Sequence, residues 1–289
     1  MINSNYCLIT GASEGFGKAL ALECASRKMN LVLVALPGAE LHSLAAFINR
    51  NYNVDVVALE KDLCIEQDCL DVYTEVAERQ LPVNMLINNA GIGSTMLFTE
   101  GGISFYQKQI KLNALATTLL THLFVDMLKK NGPSYILNVG SLCSFFFLAK
   151  KQVYGATKSF VYFFSKSLRR ELKSEQVYVS VVCPGSMNTN ASVIMINKSC
   201  NWITRQSFMD PEEVAAISLD GLLKRKEVII PGKVNQVFLF LNSLLPGFIK
   251  RMLTNHQMKT LRSASTVEIK TPSNRQPMMK TQLLSTTLQ

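Results

Sequence analysis

Short apolar runs of strand length alternate with longer helix-patterned stretches through the first 230 residues, and no other feature narrows the fold as far. The runs are Tyr6–Thr10, Leu31–Ala35, Val54–Glu60, Asn84–Asn88, Tyr135–Val139, Tyr178–Cys183 and Glu227–Ile230. Between them lie Ala19–Lys28, Leu41–Tyr52, Ile65–Gln80, Phe105–Lys130 and Tyr154–Lys173. In the fourth of these, Ile110, Leu112, Leu115, Leu119, Leu120 and Leu123 lay down an apolar stripe, the pattern of an amphipathic helix. Repeated strand–helix–strand units predict an α/β domain with a parallel sheet and helices on both faces. Right-handed crossovers make a doubly wound sheet of about seven strands the natural closure. The expected domain is single and spans residues 1–232, without internal repeats.

Charge is distributed unevenly along this chain. Residues 1–223 hold 19 basic and 19 acidic side chains, whereas residues 224–289 hold 11 basic and 2 acidic ones. The whole net charge of +9 therefore belongs to the last 66 residues. A globally basic body that binds nucleic acid is excluded, and no nucleic-acid partner is expected. With 48% apolar and 18% charged residues, neither is the chain a disordered polyelectrolyte.

Residues 233–262 read as an amphipathic basic extension. Val237, Phe238, Leu241, Leu244, Leu245, Phe248, Ile249, Met252 and Leu253 recur at helical intervals, flanked by Lys233, Lys250, Arg251, Lys259 and Arg262. Pro246 is expected to break or kink the helix. Three occupants compete for that apolar side: a membrane surface, a partner subunit, or an apolar pocket of the same chain. The longest apolar run, Val237 to Ile249, has 13 residues, and a spanning helix needs about 20. Residues 263–289 are Ser/Thr/Pro/Gln-rich and aperiodic, the composition of a mobile tail.

Seven cysteines, an odd number without a C-x-x-C pair, fit a reducing cytosol better than a disulfide framework or a zinc site. The segment MINSNYCLIT has no basic n-region or long apolar stretch, so no signal peptide is expected. A cytoplasmic location follows, with the inner face of a membrane as its peripheral variant. The sequons at Asn190 and Asn197 then carry no glycan. His42, His122 and His256 are scattered without ligand spacing, so no metal is expected.

Directly after the first strand comes Thr10-Gly11-Ala12-Ser13-Glu14-Gly15-Phe16-Gly17, and then a helical pattern. Glycine lets backbone turn sharply and approach a phosphate closely. The helix behind it offers free N–H groups and the positive end of its dipole to a pyrophosphate. A bare strand-to-helix turn also needs glycine, but the position after the first strand of an alternating pattern favours dinucleotide binding.

Further motifs follow in order: Asp62-Leu63, Asn88-Asn89-Ala90-Gly91, Asn113, Asn138-Val139-Gly140-Ser141, Tyr154-Gly155-Ala156-Thr157-Lys158, Pro184-Gly185 and Thr189. Together with the glycine loop this series resembles the short-chain dehydrogenase/reductase family over residues 4–232. Each motif is weak alone; their order and spacing are specific. The resemblance implies a Rossmann-type fold, an oxidoreductase acting on CH–OH and C=O groups, and a homodimer or homotetramer.

It also implies residue roles. A tyrosine four residues before a lysine occurs twice, at Tyr154…Lys158 and Tyr162…Lys166. Ser141 lies 13 residues before Tyr154, the family's spacing, while Ala149 holds the corresponding place before Tyr162. Tyr154 is thus the catalytic acid/base and Tyr162 a packing or solvent-facing residue. Free tyrosine has a pKa near 10, and a Lys158 ammonium one helical turn away would favour the phenolate and lower that value. By resemblance Lys158 also holds the nicotinamide ribose, Ser141 polarises the carbonyl, and Asn113 positions a water that relays protons to the lysine. Gly11, Ser13, Glu14, Gly15, Phe16 and Gly17 would take the pyrophosphate side, with Leu36, Asp62, Leu63, Asn89, Ala90 and Gly91 around the adenosine. Pro184, Gly185 and Thr189 would meet the carboxamide.

The second strand ends Val34-Ala35-Leu36-Pro37, with Leu36 where NAD-preferring members carry an acid. Glu14 stands where some NADP-preferring members carry a base. The missing acid leans the expectation toward NADP(H) over NAD(H). Phe145, Phe146 and Phe147, with Met187, Val193, Ile194, Met195, Ile196 and Trp202, suggest an apolar small-molecule carbonyl or alcohol under a lid, although they could equally pack on the core or a partner. Two other readings stay open: a catalytically idle dinucleotide sensor or scaffold, and an alcohol dehydrogenase running in the oxidative direction.

Overall fold

The computed structural model describes residues 5–189 and 207–245. Seven strands form one parallel sheet in the order β3-β2-β1-β4-β5-β6-β7. They are β1 (Tyr6–Thr10), β2 (Asn30–Ala35), β3 (Val56–Glu60), β4 (Val83–Asn88), β5 (Ser134–Val139), β6 (Val177–Val182) and β7 (Val228–Ile229). The helices are α1 (Gly15–Ser26), α2 (Ala39–Tyr52), α3 (Glu66–Glu78), α4 (Ile103–Ile110), α5 (Ala116–Lys130), α6 (Gln152–Glu171), α7 (Pro211–Leu223) and α8 (Lys233–Leu244).

Alternation along each strand explains why the strands read as unbroken apolar runs. Cys7, Ile9, Leu31 and Leu33 join one core with α1, α2 and α7. Their neighbours Tyr6, Leu8, Val32 and Val34 join a second core with α3 and α5 on the opposite face. A strand covered on both faces has no polar side to show.

Three local features depart from the periodicity reading. The stretch expected as one helix over Phe105–Lys130 is α4 and α5 joined by a π turn at Lys111–Leu115. The extra residue in that turn rotates Asn113 inward, where it is 0% exposed. The second feature, α7, is absent from the sequence expectation. Its start carries ordinary signals, Asp210 before Pro211 with Glu212 and Glu213 in the first turn. Its buried residues, among them Val214, Ala215, Ser218, Leu219 and Leu222, share one side, but Ser218 and Gly221 interrupt that side and Ala216 and Ile217 lie off it, which blunts the apolar stripe. The third is α8, which ends at Leu244 with Leu245 in extended backbone, as a residue before proline prefers.

The compact unit that carries the sheet runs to Leu245. The proposed lid residues Val193 to Trp202, both sequons, the rest of the 233–262 extension and the 263–289 tail lie outside the described residues. Among the described residues, no helix is long and apolar enough to cross a membrane.

Candidate active site

The strand order reverses between β1 and β4, so their connections leave in opposite directions and open a crevice at the carboxyl ends of the strands. A cleft of about 470 Å³ lies there. Its walls are the loops after β1 to β6, and every cofactor residue expected from the sequence lines it, as does Ser141. Asn113 does not.

The glycine loop is shaped by steric necessity. Gly11 has φ +62°, and a Cβ there would stand 2.9 Å from the Ala90 Cα. At Gly17 a Cβ would lie 1.9 Å from the Gly11 carbonyl oxygen, so α1 could not begin this close to the strand with any other residue. Asn89 braces the loop by donating from Nδ2 to the Thr10 carbonyl at 2.8 Å and to the Gly11 carbonyl at 3.1 Å. The Thr10 hydroxyl accepts from the Asn89 and Ala90 N–H groups in return. No side chain caps the start of α1. Its first N–H groups therefore face a bare glycine cradle, the arrangement that suits a pyrophosphate. These residues fit a dinucleotide.

Thr189 closes the other side of the loop, with its Cβ 3.5 Å from where a Cβ at Gly15 would be. Asp62 uses one carboxylate oxygen to accept from the Cys64 N–H at 3.0 Å, which holds the turn after β3. Leu36, 53% exposed, sits at the end of β2. Strand pairing places a cation beside it that the sequence reading does not single out. Lys61 lines the cleft, its N–H bonded to the Ala35 carbonyl at 2.8 Å and its ammonium to Glu75 and Asp71 at 3.0 and 3.3 Å. The Glu75 hydrogen bond raises the Lys61 pKa. Lys108 of α4 also lines the cleft. Only the register of β2 against β3 reveals that Lys61 and Leu36 are neighbours.

Ser141, Tyr154 and Lys158 meet in the same cleft from two elements, the end of β5 and the first turns of α6. Ser141 is 7% exposed, and its hydroxyl accepts from the Cys143 N–H at 3.1 Å. Lys158, 5% exposed, donates to the Val139 carbonyl at 2.7 Å. Burial lowers its pKa to about 8, against an opposing pull from Cys183 and Cys143. Tyr154 keeps part of its surface open to the cleft. Burial nevertheless pushes its hydroxyl up to about 12; Cys143 and Cys183 add to that shift and a hydrogen bond with Ser141 opposes it. The expected lowering of the Tyr154 pKa by Lys158 is therefore not the dominant effect in this arrangement. The Lys158 ammonium is instead engaged by the Val139 carbonyl.

Lys151 is a second cation near this centre. Its Nζ lies 5.4 Å from the Tyr154 ring centroid, held by the Ser94 carbonyl at 3.3 Å and the Thr95 hydroxyl at 3.1 Å.

Asn113 works from behind the cleft. Its Oδ1 accepts from the Ile92 N–H at 2.8 Å, and its Nδ2 donates to the Ile92 carbonyl at 3.0 Å and the Thr157 hydroxyl at 3.1 Å. A Cβ at Gly91 would stand 3.0 Å from the Asn113 Oδ1 and 3.3 Å from the Lys158 Nζ. Glycine thus keeps open a small space between the two. The competing pair is elsewhere: Tyr162 packs edge-on to Phe145 at 4.8 Å, and Lys166 bonds its hydroxyl at 3.4 Å.

With this geometry in hand, comparison with known proteins is specific. The short chain dehydrogenase family model matches residues 5–197. The 3-oxoacyl-(acyl-carrier-protein) reductase FabG of Aquifex aeolicus (strain VF5) is 28% identical over 216 residues, 73% of this chain and 87% of that protein. A short-chain dehydrogenase from Sphingobium yanoikuyae, solved in complex with NADPH, is 31% identical with a TM-score of 0.71, covering 84% of this chain and 97% of that one. The bulky-bulky ketone specific alcohol dehydrogenase from Comamonas testosteroni is 29% identical with a TM-score of 0.70, covering 84% of this chain and 95% of its own.

Proposed function

This chain belongs to the short-chain dehydrogenase family, and on that premise we propose that Ser141, Tyr154 and Lys158 form its reaction centre. The protein is an oxidoreductase that moves hydride between a nicotinamide dinucleotide and a carbonyl or alcohol group. The observation that carries the assignment of residues is the convergence of all three side chains on the cleft that the glycine loop also lines.

When bound, the dihydronicotinamide supplies the hydride. As the carbonyl oxygen gains negative charge, the Ser141 hydroxyl hydrogen-bonds it and the Tyr154 hydroxyl gives it a proton. A Tyr154 pKa of about 12 keeps the proton in place at neutral pH, which suits a donor in the reductive direction. Lys158, reached by a cofactor hydroxyl, would exchange its Val139 contact for the ribose. Asn113 is a positioning residue: it locks the Ile92 loop against Thr157 of α6 and so fixes the face on which Lys158 stands.

NADPH is the preferred cofactor in this reading. Leu36 offers no carboxylate to a ribose 2′-hydroxyl, and the exposed Lys108 puts positive charge on the cleft wall. The 31%-identical Sphingobium relative was solved with NADPH. The substrate is an apolar ketone. Met187 lines the cleft, and the Comamonas relative is specific for bulky ketones. A homo-oligomer of two or four copies and a cytoplasmic location complete the proposal.

The test is NADPH oxidation with a panel of apolar ketones. Turnover that disappears in Tyr154→Phe supports the centre. Tight cofactor binding with no turnover of any ketone would instead favour the idle sensor.

A further inference from the structure

The helix α8 carries its apolar stripe outward. Val234, Val237, Phe238, Leu241 and Leu244 recur at helical intervals on one side, and all five are exposed, between 38% and 64%. The inward side is held by a polar residue. Asn235, 3% exposed, donates from Nδ2 to the Pro231 carbonyl at 3.0 Å, and its amide lies 2.8 Å from where a Cβ at Gly185 would stand. A surface helix ordinarily does the reverse and buries its apolar stripe. The patch extends beyond the helix: the Phe238 ring lies 5.3 Å from Phe146, and Phe147 is 89% exposed. Contiguous exposed apolar surface of this kind marks an interaction site, whereas scattered apolar residues do not.

Charge at the same end of the chain selects the occupant. Lys233 opens the helix and is exposed, and residues 224–289 hold 11 basic side chains against 2 acidic. A second copy would bring a chain of the same net charge of +9 toward this face, which like-charge repulsion opposes. A surface with an apolar interior and an anionic edge satisfies both properties together. We infer that the outward face of α8, with Phe146 and Phe147 at its margin, docks on an anionic lipid surface. The inference is independent of the reaction assigned to the cleft.

Flotation of the full chain with phosphatidylcholine vesicles, with and without phosphatidylserine, tests it. The protein is expected to float with the serine-lipid vesicles at low salt, and to release as salt is raised. The double variant Val237→Asp/Leu241→Asp should lower the floated fraction about tenfold, and the milder Val237→Gln/Leu241→Gln should lower it in the same direction. NADPH fluorescence titration of each variant shows that the body is folded, since neither position lines the cleft. Failure of the parent protein to float, equal flotation on pure phosphatidylcholine, or unchanged flotation of folded variants overturns the inference. So does a concentration-dependent dimer that the double variant dissolves, which would hand the face to a second copy.

Discussion

The Lys158 ammonium donates to the Val139 carbonyl at 2.7 Å, tying α6 to the last residue of β5. Burial of that ammonium sets a pH dependence. The Lys158 pKa falls from 10.5 to about 8 on folding. Between those values the unfolded chain binds more protons than the folded one, so the lysine's burial penalty is fully present below pH 8 and relieved as pH rises toward 10.5. The full effect is about 3 kcal/mol. Thermal unfolding of the cofactor-free protein and of Lys158→Met should show a stability difference that moves in favour of the parent across this window. A difference that stays constant with pH would contradict the buried cation. The Tyr154 hydroxyl, raised from 10.0 to about 12, acts with opposite sign at higher pH, so measurements stop short of pH 10.

Tyr154→Phe should lower kcat by about a thousandfold or more and leave NADPH affinity nearly unchanged, because in the proposed reaction the hydroxyl acts on the substrate oxygen. Tyr162→Phe, which removes only a contact to Lys166, should keep kcat within about twofold. Equal losses in the two variants would refute the choice of Tyr154.

Ser141→Ala removes a donor to the developing oxyanion, with an expected fall in kcat of about a hundredfold. Its KM should change far less. A variant that raises KM alone would place Ser141 in substrate binding rather than in charge stabilisation.

Gly17→Ala sets a methyl 1.9 Å from the Gly11 carbonyl oxygen, a backbone atom that cannot step aside. A loss of about 3 kcal/mol in stability is expected, together with loss of cofactor binding by isothermal titration. Gly15→Ala, whose Cβ would meet only Thr189 at 3.5 Å, is milder, its cost arising from the φ of +52°.

Leu36→Asp should shift the ratio of NADPH to NADH dissociation constants toward NADH by about tenfold or more, since a carboxylate accepts a 2′-hydroxyl and repels a 2′-phosphate. The side chain is exposed, so the fold tolerates the change. An unchanged ratio in fluorescence titrations would show that Lys108, rather than Leu36, governs the choice.

The sheet was legible because each strand is local: Tyr6–Thr10 has no charged position and is followed at once by its glycine turn. The cleft walls were legible for the same reason, since each motif sits at a strand end. Helix α7 escaped because Ser218 and Gly221 lie on its buried side and Ala216 and Ile217 off it, so its apolar stripe is weak in the sequence. Asn113 lies inside through the π turn at Lys111–Leu115, an irregularity that helical periodicity does not show.

The sequence by itself determined the alternating elements, the glycine loop and the spacing of Ser141, Tyr154 and Lys158, because turns, periodicity and backbone freedom depend on neighbours along the chain. Tertiary structure alone decided three other things. Strand register brought Lys61 beside Leu36. Burial raised the Tyr154 pKa and lowered that of Lys158, reversing the weight given to their mutual attraction. Docking of Asn235 turned the stripe of α8 toward solvent. Each depends on residues far apart in sequence, and desolvation and packing are set by what surrounds a group in space.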